Sequence, residues 1–166
     1  LQWGDALATW LLRERDLRGF VPGKGWAHSV AHGADALGVL ARSPHLAAAE
    51  LTVLLDVIAD RLAQPVETPF HHGEDDRMAS ATMAVLRRDL VPMTVLEPWI
   101  NRLTAQAGHD GADRADPFLC TANTQAFLRS LYLQLALGSR PPTARADVML
   151  VLVGALRQSN WALQES

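Results

Sequence analysis

The sequence predicts an all-α protein with about seven helices, stacked side by side as antiparallel pairs. Apolar residues recur three and four positions apart along most of the chain, and alanine and leucine dominate these segments. This spacing is the period of an amphipathic helix. Few segments alternate with the period of two that indicates strands. Short stretches rich in glycine and proline interrupt the pattern and mark the turns between helices.

The helices of the first half of the chain have clear start and stop signals. Three glycines and one proline within residues 16–25 end the first helix, because neither residue type favours helix continuation. Ser43 and Pro44 resemble an N-cap and a first-turn proline, and they predict the start of the third helix. The acidic run from Glu74 suits the positive end of a helix dipole. The predicted helices span residues 3–15, 26–42, 44–62 and 74–90.

The second half of the chain continues the same layout. Pro92 and Pro98 bracket a turn, a polar loop covers residues 108–113, and a proline-rich break follows Gly138. The predicted helices span residues 98–107, 122–137 and 144–158. The second, fourth and sixth helices therefore begin roughly 45 to 50 residues apart, near the spacing of HEAT-type repeats. A compact irregular helical bundle is the alternative architecture.

Length and composition fit one domain that covers residues 1–166. The chain has 166 residues, of which 49% are hydrophobic and 20% charged, so it can bury a core without a disulfide or a metal. A net charge of -3 argues against nucleic acid as the main partner. The longest apolar run is too short to cross a bilayer, so no membrane partner is expected. The single cysteine, Cys120, excludes an internal disulfide. We expect a cytoplasmic protein.

The second helix carries the residues with the clearest chemical potential. His28, His32 and Asp35 fall within roughly 60° of one another on a helical projection. Two histidines one turn apart, followed by an aspartate, could hold a divalent metal ion. The same three residues could instead contact an anion, move a proton, or form an ordinary solvated surface. The opposite face of this helix forms a core stripe of Trp26, Val30, Ala34, Leu37 and Ala41.

A second polar group lies at the predicted start of the fourth helix, at Asp75, Asp76 and Arg77. Helix capping alone would account for the two aspartates. If the second, fourth and sixth helices lie side by side, however, their polar faces would line one groove. Asn123 and Arg129 would extend that groove along the sixth helix. The full set of predicted ligand-binding residues is Arg18, Trp26, His28, His32, Asp35, Asp75, Asp76, Arg77, Asn123 and Arg129.

The large aromatic residues Trp26, Trp99 and Phe127 are predicted to anchor the core. No recognised catalytic signature surrounds Cys120, although a position near a helix start can lower a thiol pKa. The chain also lacks a glycine-rich phosphate loop, a nucleophile elbow and a zinc-protease motif.

Three segments read D-L-R-G-F from Asp16, W-A-H-S-V-A-H-G-A-D from Trp26, and G-E-D-D-R from Gly73, and a fourth spans Asn123–Tyr132. Together they resemble the bacterial domain-of-unknown-function family 2785, over most of the chain. The resemblance implies an all-helical, HEAT-like fold and no assigned activity. It also implies a chain that is the C-terminal part of a longer protein. The shared feature that it implies contains Asp16, Arg18, Trp26, His28, His32, Asp35, Asp75 and Arg77.

Three functions remain open from the sequence. The first is a non-catalytic binding or scaffold domain with a protein or peptide partner, because stacked helix pairs form extended surfaces. The second is a metal-dependent or acid–base hydrolase centred on the histidines and aspartate of the second helix, with Asp75 or Asp76 of the fourth helix as a further ligand. The third is a receptor for a small polar molecule or anion that uses Arg18, Arg77 and Arg129.

Overall fold

The computed structural model describes residues 2–107 and 116–164, and over these residues it contains seven α-helices. The predicted all-α class is therefore confirmed. A two-stranded antiparallel hairpin, β1 (Phe20–Val21) and β2 (Gly25–Trp26), precedes the second helix. The predicted polar loop at 108–113 lies outside the described residues. The helices are α1 (Gln2–Arg13), α2 (Ser29–Ala41), α3 (Ala48–Ala63), α4 (Glu74–Leu86), α5 (Met93–Ala107), α6 (Pro117–Leu137) and α7 (Arg145–Ser159).

Local hydrogen bonding moves several helix starts away from the predicted positions. Helix α2 starts only at Ser29, because Gly25 and Trp26 pair with β1. Helix α3 starts at Ala48 and not at Pro44. At this start, the Glu50 carboxylate accepts a hydrogen bond from the Ala47 N–H (3.0 Å). This acidic side chain caps the helix in place of the predicted serine.

Two further starts lie earlier in the chain than the sequence predicts. Helix α6 starts at Pro117, because the Asp116 carboxylate accepts a hydrogen bond from the Phe118 N–H (2.9 Å) and proline suits the first helical position. Helix α5 starts at Met93 and contains Pro98, which removes one backbone donor without ending the helix.

Helices α2, α4 and α6 lie side by side and run in the same direction. Contacts between neighbours show this direction, since residue numbers on the two helices rise together. The contacts are Asp35–Arg77, Gly38–Ala81 and Ala41–Arg88 between α2 and α4, and Asp75–Ser130, Ser80–Gln134 and Arg87–Arg140 between α4 and α6.

Helices α1, α3, α5 and α7 form the second layer. The C-terminal ends of α1 and α3 are joined by a hydrogen bond from the Gln64 amide to the Leu12 carbonyl (2.6 Å). Trp99 of α5 donates its indole N–H to the Leu55 carbonyl of α3 (2.9 Å), and α7 packs against α5. The end of α1 contacts Gly33 near the start of α2, so the two layers run in opposite directions. This layout agrees with the stacked helix pairs that the spacing predicts.

The core lies between the two layers. Val30, Ala34, Leu37 and Ala41 of α2 are buried, as the sequence predicts. Trp99 and Phe127 are also buried and meet edge to face, with ring centroids 6.1 Å apart. Trp26, the third predicted core anchor, is 61% exposed, so that prediction is wrong. Its place on β2, ahead of the helix, keeps the indole outside the helical stack.

Several helix ends meet at one end of the stack, which is polar. There the C-terminal ends of α1 and α3 meet the N-terminal ends of α2 and α4. The hairpin and the link at 64–73 cover this end. Within residues 2–107 and 116–164, no helix combines the length and apolar character needed to span a membrane.

We expect Arg88→Met to lower the free energy of unfolding by about 2 kcal/mol, because Arg88 makes charge-assisted hydrogen bonds that close the end of α2. Its guanidinium donates to the carbonyls of Ala41 (2.9 Å), Ser43 (2.6 Å) and Leu46 (3.1 Å). Urea denaturation measures the loss. Arg157→Met, on the exposed side of α7, is the matched control and should cost less than about 0.5 kcal/mol. Equal effects of the two substitutions would contradict this role of Arg88.

Candidate functional site

The polar face predicted on α2 is present, but its side chains engage other parts of the chain. His28 is the residue before α2 and has the left-handed backbone conformation (φ 47°, ψ 35°). Its Nε2 lies 2.8 Å from the carbonyl oxygen of His72 and donates to it. His32 is exposed, with its ring 5.9 Å from that of His28. The Asp35 carboxylate accepts a hydrogen bond from the Arg77 guanidinium (2.5 Å).

The proposed metal ligands are not arranged as a coordination group. In the part of the chain that the structure describes, no three His, Cys, Asp or Glu side chains come close enough together to hold a metal ion. His28 and Asp35 are committed to the partners just given. Asp75, the ligand considered from the next helix, accepts a hydrogen bond from the Ser130 hydroxyl (2.7 Å). The geometry therefore gives these side chains roles in joining helices and loops.

The predicted row of polar residues along α2, α4 and α6 does not continue onto α6 through Asn123. On α6, Ser130 and Gln134 hydrogen-bond to α4: the Ser130 hydroxyl donates to Asp75, and the Gln134 amide donates to the Asp76 carbonyl (2.9 Å). Asn123 is 2% exposed, and its side-chain oxygen accepts a hydrogen bond from the Phe70 N–H (2.7 Å). Asn123 thus fixes the link between α3 and α4 and does not line an open groove.

The three arginines of the predicted anion receptor do not converge. Arg77 pairs with Asp35 between α2 and α4. Arg129 is exposed on α6, where its guanidinium lies 3.4 Å from the side-chain oxygen of Gln125. Arg18 lies on the loop before the hairpin and lines a cavity that the sequence did not predict.

This cavity has a volume of about 1010 Å³ and lies at the polar end of the stack. One wall is the segment at 14–22, which contains the loop after α1 and strand β1. The other wall is the link between α3 and α4. The lining residues are Leu12, those at 14–22, Arg61, those at 64–68, and those at 71–72. We call it the loop cavity.

Arg61, at the end of α3, lies in the floor of the loop cavity and is only 2% exposed. Its guanidinium donates to the Gln64 side-chain oxygen (3.1 Å) and to the Glu14 carbonyl (3.3 Å). It also lies 5.2 Å from the centroid of the Phe70 ring, within cation–π distance. Burial lowers the pKa of Arg61; the charge of Arg15 acts in the same direction, while Glu14 and Glu74 oppose it.

Glu74 contributes more than the helix-dipole effect that its sequence position suggests. It is 2% exposed, and its carboxylate accepts a hydrogen bond from the His72 N–H (2.8 Å). Gly73 before it has a positive φ of 83°, a conformation that glycine adopts readily. The start of α4 and the wall of the loop cavity are therefore fixed to each other.

Asp16 and Arg18 form an ion pair within the first wall. The guanidinium donates to both carboxylate oxygens, with a shortest distance of 2.6 Å, and the Arg18 N–H donates to the carboxylate as well (3.0 Å). These hydrogen bonds, with the charge of Arg18, lower the pKa of Asp16 from 3.8 to about 2. The pair shapes the loop and leaves Asp16 ionised through the physiological range.

The two walls meet at Gly19 and His72. A Cβ atom on Gly19 would lie 2.3 Å from Cγ of the His72 ring, so only glycine fits against this imidazole. The hydrogen bond between His28 and the His72 carbonyl holds the same place from the other side. Outside this contact, the exposed rings of Phe20 and Trp26 meet edge to face at 5.5 Å.

The chain matches the family described as "Protein of unknown function (DUF2785)" over residues 1–133, and it belongs to this family. The match confirms the resemblance drawn from the sequence motifs. It covers every residue that lines the loop cavity. No curated protein and no solved structure matches the chain.

Arg15, Arg61 and the link at 64–72 are parts of the site that sequence reasoning missed. Arg61 offered a signal, because it falls on the apolar stripe of α3, three residues after Ile58 and next to Leu62. A charged residue on a core stripe is buried at a cost, so it is a candidate for a functional or structural polar group. The link has no periodic pattern from which its position could be inferred.

We expect Gly19→Ala to destabilise the protein by about 1–3 kcal/mol, because the added methyl group would overlap the His72 ring. In the Gly19→Ala/His72→Ala double variant the methyl group has room, so the two effects should not add. Urea denaturation of both single variants and the double variant measures this coupling. Gly4→Ala on α1 is the control, because nothing lies within 4 Å of its added Cβ. Strict additivity of the Gly19 and His72 effects would show that the walls do not meet here.

Proposed function

We propose that this chain is a non-catalytic binding domain and that the loop cavity is its binding site. The observation that carries the proposal is the cavity itself, with about 1010 Å³ between two walls. Ligand sites for small molecules are concave and have volumes of about 300–1,000 Å³. The volume suits a small polar molecule, which is one of the partners that the sequence left open.

Both walls of the cavity are held in place by contacts to the helices. Phe70 is tied to α6 through Asn123, and His72 is tied to α4 through Glu74. Arg61 ties the end of α3 to the carbonyl of Glu14 in the opposite wall. A site that is already shaped loses less conformational entropy when a ligand binds, which favours affinity.

The hydrogen bonds that the titratable side chains already make support a binding function over a catalytic one. A general base must reach the proton that it removes, and a metal-dependent hydrolase needs several free ligands. Asp35, Asp75 and Asp16 already accept hydrogen bonds from Arg77, Ser130 and Arg18. The hydrolase alternative therefore receives less support from the geometry than the binding function does.

A protein or peptide partner is the second candidate, and the exposed pair of Phe20 and Trp26 favours it. The two rings are 57% and 61% exposed beside the cavity, and aromatic residues are enriched at interfaces.

We also propose that the two helical layers form a HEAT-like superhelix and that the protein is bacterial and cytoplasmic, as the sequence suggests. The stacking of parallel neighbours within each layer supports the first of these.

We expect members of a chemically mixed library of small molecules and short peptides to bind at the loop cavity. In ¹H–¹⁵N NMR spectra of the labelled chain, the amide signals of residues 14–22 and 64–72 should shift together. Thr68→Trp would place a large ring in the cavity and should weaken such binding about tenfold or more. Thr143→Trp, at an exposed position before α7, should leave it unchanged. Shifts confined to other surfaces, or no binding at all, would contradict the proposed function.

A further inference from the structure

We propose that the ligand of the loop cavity carries an oxyanion, a carboxylate or a phosphate, which Arg15 and Arg61 bind together. This inference rests on the proposed binding function and names the chemical class of its ligand. It is carried by a difference between the hydrogen-bond acceptors and donors of the cavity. The carboxylates of Glu14 and Asp16 already accept hydrogen bonds from the chain, while the buried Nε of Arg61 has no acceptor in the described part of the chain.

The acidic side chains of the first wall already accept hydrogen bonds from the chain. One carboxylate oxygen of Glu14 accepts from the N–H groups of both Arg15 and Asp16, at 2.8 Å each. Both oxygens of Asp16 accept from Arg18. Glu67, in the other wall, is exposed to solvent, where its charge is screened. A cationic ligand would therefore have to compete with hydrogen bonds that the chain already makes.

The donors of the cavity are less fully used. Nε of Arg61 is buried and has no hydrogen-bond acceptor among residues 2–107 and 116–164. A buried donor without an acceptor is rare and costly, and an ion that supplies the acceptor is one physical explanation for it. Arg61 is 98% shielded from solvent and belongs to the lining, so its charge acts in a medium of low polarity.

Arg15 places a second positive charge close to this buried guanidinium. Both side chains belong to the lining of the loop cavity, and the charge of Arg15 adds to burial in lowering the pKa of Arg61, as expected for two like charges that lie close together. An oxyanion between them would replace this repulsion with two attractions and supply acceptors to both. Guanidinium groups bind carboxylate and phosphate oxygens in a planar, two-point geometry, so the match is chemically specific.

The remaining lining suggests what else the ligand contains. Part of the cavity wall is apolar and is formed by Leu12, Leu17, Phe20 and Val66. The volume of the cavity also exceeds that of a bare inorganic ion. A ligand with a short hydrocarbon part next to its oxyanion would contact both kinds of lining. Small dicarboxylates and organic phosphates have this composition.

The test uses three defined probes on the intact chain at constant ionic strength. Succinate supplies carboxylates, inorganic phosphate supplies the other oxyanion, and succinamide is the neutral analogue of succinate. NMR titration follows the amides of residues 14–22 and 64–72, and also the side-chain Nε–H signal of Arg61. We expect at least one anion to bind at least about tenfold more tightly than succinamide and to shift the Arg61 signal. The stronger of the two anions identifies the source of the oxyanion.

Matched variants separate this site from general attraction to positive charge. Arg15→Gln should weaken anion binding at least about fivefold, and Arg15→Lys should retain part of it, because lysine keeps the charge without the two-point geometry. Arg157→Gln removes the same charge from α7 and should change binding less than about twofold. Both substituted positions are exposed, so each variant should fold.

The outcomes distinguish the ligand class from the binding function. If succinamide or other neutral molecules bind in the cavity as tightly as the anions, the oxyanion proposal is overturned while the binding function stands. If anions shift signals equally in the Arg15→Gln and Arg157→Gln variants, the proposal is also overturned, because the attraction is then nonspecific. If no probe and no member of the mixed library binds in the cavity, the binding function itself fails.

Discussion

The buried guanidinium of Arg61 is the constraint on which the polar end of this protein depends. Taking a charge out of water is expensive, and a protein offsets that cost only by surrounding the charge with suitable partners. Here the partners come from three different segments, namely the Glu14 carbonyl after α1, the Gln64 side chain after α3, and the Phe70 ring in the link to α4. Because these partners must be present together, the charge defines how the segments that wall the loop cavity are placed.

The rest of the polar surface is arranged around the same end of the stack. Parallel helices within one layer bring the starts of α2 and α4 together, and the side chains there join neighbouring elements. His28 holds the link through the His72 carbonyl, and Asp75 holds α6 through Ser130. Residues whose sequence pattern suggested a catalytic group therefore join neighbouring helices and loops.

The fold was largely predictable, because helices follow from the periodicity of the sequence. The loop cavity was not predictable, because it depends on contacts between distant segments. The apolar stripe of α2 is buried as expected, since Val30, Ala34 and Leu37 obey the helical period. Helix starts were less predictable, because Glu50 and Asp116 cap α3 and α6 through single hydrogen bonds. The cavity joins segments about 50 residues apart along the sequence, and one sequence cannot show such a pairing. Arg18 was predicted as a site residue and lines the cavity, while Arg61 could be suspected only from its charge on an apolar stripe.

The most direct test of this account is native-state hydrogen exchange in Arg61→Met. Methionine fills a similar volume without a charge. Because such a replacement of a buried ion can leave the global free energy of unfolding nearly unchanged, the exchange rates of amides near the substitution are the informative measurement. The account predicts that amides of residues 14–22 and 64–72 exchange at least about tenfold faster, while amides of α5 and α7 keep their rates. Arg102→Met serves as the control, since Arg102 is an exposed residue that pairs with Asp56 and Asp60. Unchanged exchange at both cavity walls in Arg61→Met would contradict the central role given to this guanidinium.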